Sequence, residues 1–309
     1  MKVAALDLGS NTFLCLIAEV TTQKITKIYA DEVEIVRLGQ GLNQGGAFHP
    51  EALARADKCL DKMKQLILQH QPTHILAMAT AAARKATNQQ ALLDLGVKYQ
   101  IPIEIIPGEQ EAQITYQGAI SGLQSEQQSR LIIDIGGGST EFIFGRGQQL
   151  LTARSFNFGC VNLTEKYILQ QPTPQKQITE VTNLIREQIQ HMKSLQPESF
   201  IIEEILAVAG TPTTLAAATL GKFDPVVIDG FKLTLHFLNE WLQKLQAATV
   251  EEKIQMGIPA GRADVILIGV IILIETLHIF NLNQITVSTR GVRYGIALEM
   301  GRRYQHLSN

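Results

Sequence analysis

The sequence predicts an α/β protein of two similar domains, each a mixed sheet flanked by helices, and three observations lead there. At 309 residues, with 45% apolar and 18% charged side chains, the chain can bury a large core and divide in two. A shift of 127 positions carries Leu6-Asp7-Leu8-Gly9 onto Ile133-Asp134-Ile135-Gly136, an internal repeat. Around both copies, strand-like and helix-like stretches alternate, as in sheets covered by helices.

Each copy of the repeat begins with a short apolar run, 3–6 in one and 131–133 in the other. The run meets Asp-aliphatic-Gly, passes through small polar residues and resumes as a second apolar run, 13–18 or 142–144. That order reads as strand, tight turn, strand. In the first half, 25–38 continues as strand, and 50–69 sets Ala52, Ala56, Leu60, Met63 and Ile67 at helical spacing. Short strands follow at 74–79 and 103–106, then a helix at 109–121. The second half continues with strand 148–158, helices 161–169 and 175–193, and a buried strand at 204–209. An alanine-rich helix at 214–220, helices at 233–245, 261–280 and 291–304, and a strand at 284–288 complete it. The polar run 124–129 is the expected boundary, giving domains 1–125 and 126–309 that face each other across a cleft. The last helix is free to pack back on the first domain.

A formal charge of −2 and a pI near 6.4 leave no basic stripe for sequence-independent nucleic-acid binding, so an anionic ligand must be held locally. Cys15, Cys59 and Cys160 are too scattered for a zinc site or a disulfide framework and are expected in the core. His191, His236 and His278 fall in helical stretches without ligand spacing. Asp7 interrupts the N-terminal apolar run before a signal-peptide core can form, and the oily run 265–274 is too short to span a bilayer. Cytoplasm is the expected compartment, with no membrane partner.

Chemistry concentrates at the two repeats. Gly136, Gly137 and Gly138 follow a strand directly, so their backbone N–H groups can approach and surround phosphate oxygens, and Ser139 and Thr140 add hydroxyls. Asp134 at the strand end can hold Mg2+ or its water shell, with Glu141 as a second carboxylate. A glycine run alone is as readily a hairpin turn; the matching Asp-x-Gly in the other half is what favours phosphate. In the first copy, Ser10 and Asn11 stand where the second has glycines. Ser10, Asn11 and Thr12 can hold phosphate through side chains, with Asp7 as a further metal ligand or as a simple turn cap.

The duplicated turn resembles that of the actin, hexokinase and sugar-kinase superfamily, and the chain as a whole resembles the exopolyphosphatase/guanosine pentaphosphate phosphohydrolase family. The likeness spans nearly all of it, through Asp7-Leu8-Gly9-Ser10-Asn11-Thr12, Ala79-Thr80-Ala81-Ala82-Ala83-Arg84, Gly108-Glu109-Gln110-Glu111-Ala112, Asp134 to Glu141, Gly261-Arg262-Ala263-Asp264 and Gly291-Val292-Arg293. The resemblance implies two actin-like, ribonuclease H-like domains with the active site between them. Glu111 is implied as the catalytic glutamate, although an acidic residue in a first helical turn also suits the helix dipole. Arg84 is implied to grip a phosphate, with Asn88 in the same segment or capping the next helix. Gly210 and Thr213 would form a third phosphate-facing turn, or an N-capping turn before the next helix. Arg262 and Arg293 are further arginines of the cleft; where many relatives have an acidic residue after the arginine, this chain has Tyr294.

These roles combine into metal-assisted hydrolysis of a phosphoanhydride: the two turns and Arg84 hold the terminal phosphates, Mg2+ near Asp134, Glu141 and Asp7 neutralises charge, and Glu111 takes the proton of the attacking water. Glu141 and Arg84 belong with Glu111 to the catalytic set. Inorganic polyphosphate is the expected substrate, and guanosine pentaphosphate the alternative. A homodimer is compatible with the resemblance. A small-molecule kinase, and a phosphate or nucleotide sensor without catalysis, are the competing readings.

Overall fold

The computed structural model describes residues 1–123 and 127–305. The chain divides into two compact units, Met1–Gln124 with Arg290–Asn309, and Ser125–Thr289. The expected boundary at 125/126 lies outside the described residues.

The first unit opens with β1 (Lys2–Leu8), β2 (Thr12–Val20) and β3 (Ile25–Ile35), followed by α1 (Leu42–Gly45), α2 (Pro50–His70), β4 (His74–Ala79), α3 (Ala81–Lys85), α4 (Gln90–Tyr99), β5 (Ile103–Ile105) and α5 (Gly108–Ile120). Its sheet runs β3-β2-β1-β4-β5. β1 is central, antiparallel to β2 and parallel to β4, and is buried from Val3 on. Burial on both faces explains its unbroken apolar run. On one face, α2 packs its stripe of Ala56, Cys59, Leu60, Met63 and Ile67 against Leu6, Leu8 and Phe13. α2 starts at His49, whose Nδ1 accepts from the Glu51 N–H, with Pro50 in the first turn, and stops at left-handed Gln71 (φ 50°).

In the second unit come β6 (Ser129–Ile135), β7 (Thr140–Arg146), β8 (Gln149–Phe156), α6 (Cys160–Tyr167), α7 (Gln175–Ser194), β9 (Glu204–Val208), α8 (Gly210–Leu220), α9 (Pro225–Ile228), β10 (Lys232–Thr234), α10 (Leu235–Ala247), α11 (Val250–Gln255), α12 (Ala260–Ala263), α13 (Ile266–Phe280) and β11 (Gln284–Val287). The last helix, α14 (Val292–Gln305), is part of the first unit. There it covers the second face of the sheet, where Val292, Tyr294, Ile296 and Met300 meet Val3, Ala5, Leu16 and Met78.

The second sheet runs β10-β11-β9-β6-β7-β8. Taken as β8-β7-β6-β9-β11, it repeats the first sheet: two antiparallel steps to a central strand, then two parallel ones, with β10 added at the far edge. The two units are thus the same mixed α/β design. α13 is buried from Ile266 to Leu277 and apolar round most of its surface, as befits a helix enclosed by its unit; its buried carboxylate, Glu275, pairs with Arg186 at 2.7 Å. The expected single helix 261–280 is broken after α12. The Asp264 carbonyl, which a continuous helix would use internally, accepts from the Gln171 side chain at 2.9 Å. Cys15, Cys59 and Cys160 are free and buried. Among the described residues no helix is long and apolar enough to cross a membrane.

In both units the segments predicted to carry chemistry follow the carboxyl ends of parallel strands, where open α/β sheets place their ligands. The turn 9–12 follows β1, Thr80 to Arg84 follow β4, and Glu111 lies beyond β5; in the second unit, 136–139 follow β6 and Gly210 follows β9.

Candidate active site

The two repeated turns have the same internal geometry. The Gly9 N–H donates to the Thr12 carbonyl at 3.0 Å, and the Gly136 N–H donates to the Ser139 carbonyl at 3.0 Å. In each case a Cβ on the glycine would stand 3.0 Å from that carbonyl oxygen, closer than an ordinary van der Waals contact. The strand registers match as well: Leu8 pairs Phe13 and Ile135 pairs Thr140.

In the second unit the start of α6 grips the turn from behind. Cys160 N–H donates to the Gly136 carbonyl (3.0 Å), and Val161 and Asn162 N–H groups donate to the Gly137 carbonyl (2.8 and 3.2 Å). Asn162 Nδ2 donates to the Gly138 carbonyl (3.1 Å), while its Oδ1 accepts from the Gly159 N–H (2.7 Å). A Cβ on Gly159 would lie 2.6 Å from the Gly136 carbonyl, so this approach requires glycine. With three carbonyls drawn to α6, the peptide dipoles of the turn point their positive ends the other way. Asn162 and Gly159 were not among the predicted residues; Asn162, three positions into α6, reaches back to the Gly159 N–H as the third residue of a capping box does, while glycine supplies no reciprocal side-chain bond. Ser139 is buried, and Thr140 is fully buried with its hydroxyl donating to the Phe158 carbonyl at 2.8 Å. That proton is committed to the fold, which makes Thr140 a support of the turn.

Asp134 (6% exposed) and Glu141 (1%) are direct partners across β6 and β7, so both carboxylates leave the same face of the sheet. Ser155 Oγ donates to Glu141 Oε1 at 2.6 Å. Two adjacent hard-oxygen carboxylates fit a magnesium ion, which takes one or two protein carboxylates and completes its octahedron with water and phosphate oxygens. Asp7 lies in the first unit, at the equivalent place on β1, where its partner is Leu14. Asn11, on the turn that follows, has a buried Oδ1 with no hydrogen-bond partner, an acceptor suited to a metal-bound water. Its backbone carbonyl accepts from Val36 and Arg37 N–H groups, and the Ser10 carbonyl from the Gly39 N–H, which anchors this turn to the end of β3. Among the described residues no three His, Cys, Asp or Glu side chains group into an all-protein metal cage.

The first unit also brings Glu111 and Arg84 together. Glu111, in the first turn of α5, is 6% exposed, while Glu109 on the same turn faces solvent. Arg84 Nη1 donates to Glu111 Oε2 at 2.7 Å and to the Ile106 carbonyl at 2.9 Å, and the Thr80 side chain also bonds to Glu111. Burial pushes the Glu111 pKa above the ordinary carboxylate range, with Arg84 and Thr80 opposing it. Such a carboxylate is a stronger proton acceptor than one in water.

Other predicted residues take different places. Asn88 bridges Phe48, its Oδ1 accepting from the backbone N–H (2.7 Å) and its Nδ2 donating to the carbonyl (3.2 Å); the N-cap of α4 is Gln89. Thr213 donates to the Ala209 carbonyl at 2.8 Å, within the first turn of α8. Gly210 meets Arg262: a Cβ there would stand 1.1 Å from Arg262 Nη1. Burial pushes the Arg262 guanidinium down to about 10, with Cys160 opposing. Arg293 is committed to Asp31 through both Nε (2.6 Å) and Nη2 (2.9 Å).

Residues 16–303 match the Ppx/GppA phosphatase family. Exopolyphosphatase 2 of Mycobacterium tuberculosis is 30% identical over 315 residues, covering 97% of this chain and 98% of that protein. A guanosine-5'-triphosphate,3'-diphosphate pyrophosphatase of Photobacterium profundum is 29% identical over 311 residues, covering 98% of this chain and 60% of that protein. The crystal structure of the Aquifex aeolicus Ppx/GppA family member superposes with a TM-score of 0.82 at 28% identity, covering 99% of both chains. With its two mixed-sheet units of actin-like design, this chain belongs to the Ppx/GppA phosphatase family.

Proposed function

We propose that the chain is an exopolyphosphatase, releasing terminal orthophosphate from inorganic polyphosphate by direct attack of water. The observation that carries this reading is the Glu111–Arg84 pair: a buried carboxylate of raised basicity, fixed by a guanidinium at 2.7 Å. Glu111 accepts the proton as the water oxygen bonds to the terminal phosphorus, and the bond from that phosphorus to the bridging oxygen breaks. Arg84, 24% exposed, keeps Glu111 ionised and offers the outer edge of its fork to a phosphate. The turns at 9–12 and 136–139 bind phosphate oxygens, the second with its dipoles aimed by α6. Asp134 and Glu141 would hold magnesium, which would neutralise phosphate charge when bound; Asp7 is the corresponding carboxylate of the first unit. Glu141 is kept in position by Ser155.

Guanosine pentaphosphate presents the same terminal anhydride, and the likeness to the Photobacterium profundum enzyme over 98% of the chain favours it as the second substrate. The purified protein should release phosphate from short polyphosphate, long polyphosphate or guanosine pentaphosphate with magnesium and no acceptor, and Glu111→Gln should lower the rate about 10²–10⁴-fold. Inactivity on all three substrates, or a wild-type rate in Glu111→Gln, would refute the proposal.

A further inference from the structure

We infer that Arg55, on α2, is a positioning residue for the turn at 9–12: it locks the loop 36–40, and that loop aims the peptide dipoles of the turn at phosphate. Arg55 Nε donates to the Val36 carbonyl at 2.7 Å, and its Nη2 donates to the Arg37 carbonyl at 3.2 Å and to Gln40 Oε1 at 2.9 Å. One guanidinium thus holds two successive carbonyls and a side chain of the loop, a task that suits the fixed fork of arginine.

The same loop residues hold the turn. Val36 and Arg37 N–H groups both donate to the Asn11 carbonyl, at 3.0 and 2.9 Å, and the Gly39 N–H donates to the Ser10 carbonyl at 2.8 Å. In a trans peptide the N–H points opposite to the carbonyl, so the Asn11 and Thr12 N–H groups are turned away from the loop. In the second unit the start of α6 draws the Gly136, Gly137 and Gly138 carbonyls in the same way. Arg37 meets the shared Asn11 oxygen with φ 54°, a left-handed backbone that is unfavourable outside glycine and persists where the surroundings fix it. Arg55 fixes it on both sides of the Arg37 α-carbon, through the Val36 carbonyl just before and the Arg37 carbonyl just after. Loop and turn are in close contact: a Cβ on Gly39 would lie 3.2 Å from the Ser10 Cβ, so a small shift of the loop reaches the turn. Val36 and Leu38 share a core with Ala56 and Leu60 of α2, which ties the loop to the helix that carries Arg55.

The inference rests on the proposed binding of phosphate by this turn. Tripolyphosphate, titrated calorimetrically into protein carrying Glu111→Gln so that it is not consumed, reads binding with and without Arg55→Met, Arg55→Lys or Asn11→Asp. Melting temperature and the pH profile of kcat/KM are measured in the same variants with Glu111 intact. Arg55→Met should weaken tripolyphosphate binding about tenfold or more and leave the acid limb of the profile at the wild-type pH, because Glu111 and Arg84 are untouched. Arg55→Lys, which keeps the charge but loses the fork, should weaken binding about threefold. Asn11→Asp, which sets a negative charge on the turn itself, should weaken it as well. If Asn11→Asp weakens binding while folded Arg55→Met and Arg55→Lys bind as the parent does, the positioning role is refuted; a lower melting temperature alone would make Arg55 a strut of the fold. An acid limb displaced by Arg55→Met would refute it too, since the damage would then extend to Glu111. Should Arg55→Met not fold, parental binding in Arg55→Lys is refutation enough. If Asn11→Asp leaves binding unchanged, the phosphate role of the turn falls first, and the inference with it.

Discussion

Replacing Arg84 with methionine keeps much of the side-chain volume and removes the counter-ion of Glu111. Glu111 is 6% exposed, and Arg84 Nη1 is 2.7 Å from it. Removing one partner of a buried ion pair costs about 3–5 kcal/mol, because the remaining charge is left uncompensated. Arg84 is itself 24% exposed, so water can partly replace it, and the lower end, about 3 kcal/mol, applies. At roughly 1.4 kcal/mol per factor of ten in rate, that is about 100-fold. The sign follows from the base being the ionised form: burial already raises the Glu111 pKa, Arg84 lowers it, and its loss raises it further. The acid limb of the kcat/KM profile should therefore move toward alkali. At a pH on that limb the variant should be about 100-fold slower from this cause, recovering as the pH is raised. Loss of a phosphate contact would add a rise in KM that pH does not repair. Phosphate release measured from pH 5 to 10 separates the two effects, with Glu111→Gln as the control that has no limb to move. An Arg84→Met profile whose limb stays at the wild-type pH would refute the assignment of Glu111 as the base tuned by Arg84.

Two glycines give contrasting expectations. A Cβ on Gly118 of α5 would lie 2.1 Å from the Gly291 carbonyl and 2.8 Å from the Gly295 nitrogen, both backbone atoms that cannot swing aside; Gly118→Ala should cost about 3 kcal/mol and lower the melting temperature by roughly 6–12 °C in calorimetry, and a shift under about 1 °C would contradict the packing described. The three atoms nearest a Cβ on Gly210 are all at the end of the flexible Arg262 side chain; Gly210→Ala should leave the melting temperature within about 2 °C but displace Arg262 and slow phosphate release at least tenfold, and full activity would remove this turn from the site.

The repeat was legible because its signal is local: a strand, Asp-x-Gly and a tight turn need only neighbouring residues, and the same bond closes both turns. Glu111 and Glu109 look alike in sequence; the phase of α5 against the sheet, a tertiary property, buries one and exposes the other. At the break before α13, Gln171 reaches the Asp264 carbonyl across 93 positions, a contact no apolar periodicity reveals. Thr140 reads as a ligand hydroxyl until the Phe158 carbonyl is brought beside it. Asp31 is the furthest from view, lying in a charged edge strand that reads as a solvated face and meeting Arg293 across 262 positions. Asn88 reads as a cap of the next helix, but its side chain bonds to Phe48 across 40 positions.

The membership of α14 in the first unit makes the second unit an insertion in the chain order, with consequences for how the molecule is made. During synthesis, β6 to β11 emerge as one uninterrupted stretch and can fold as soon as they are out. The first unit must wait: Val3, Ala5, Leu16 and Met78 stay without their cover until α14 leaves the ribosome. The part of the chain made first is therefore completed last, and its apolar sheet face needs shielding from other nascent chains in the interval.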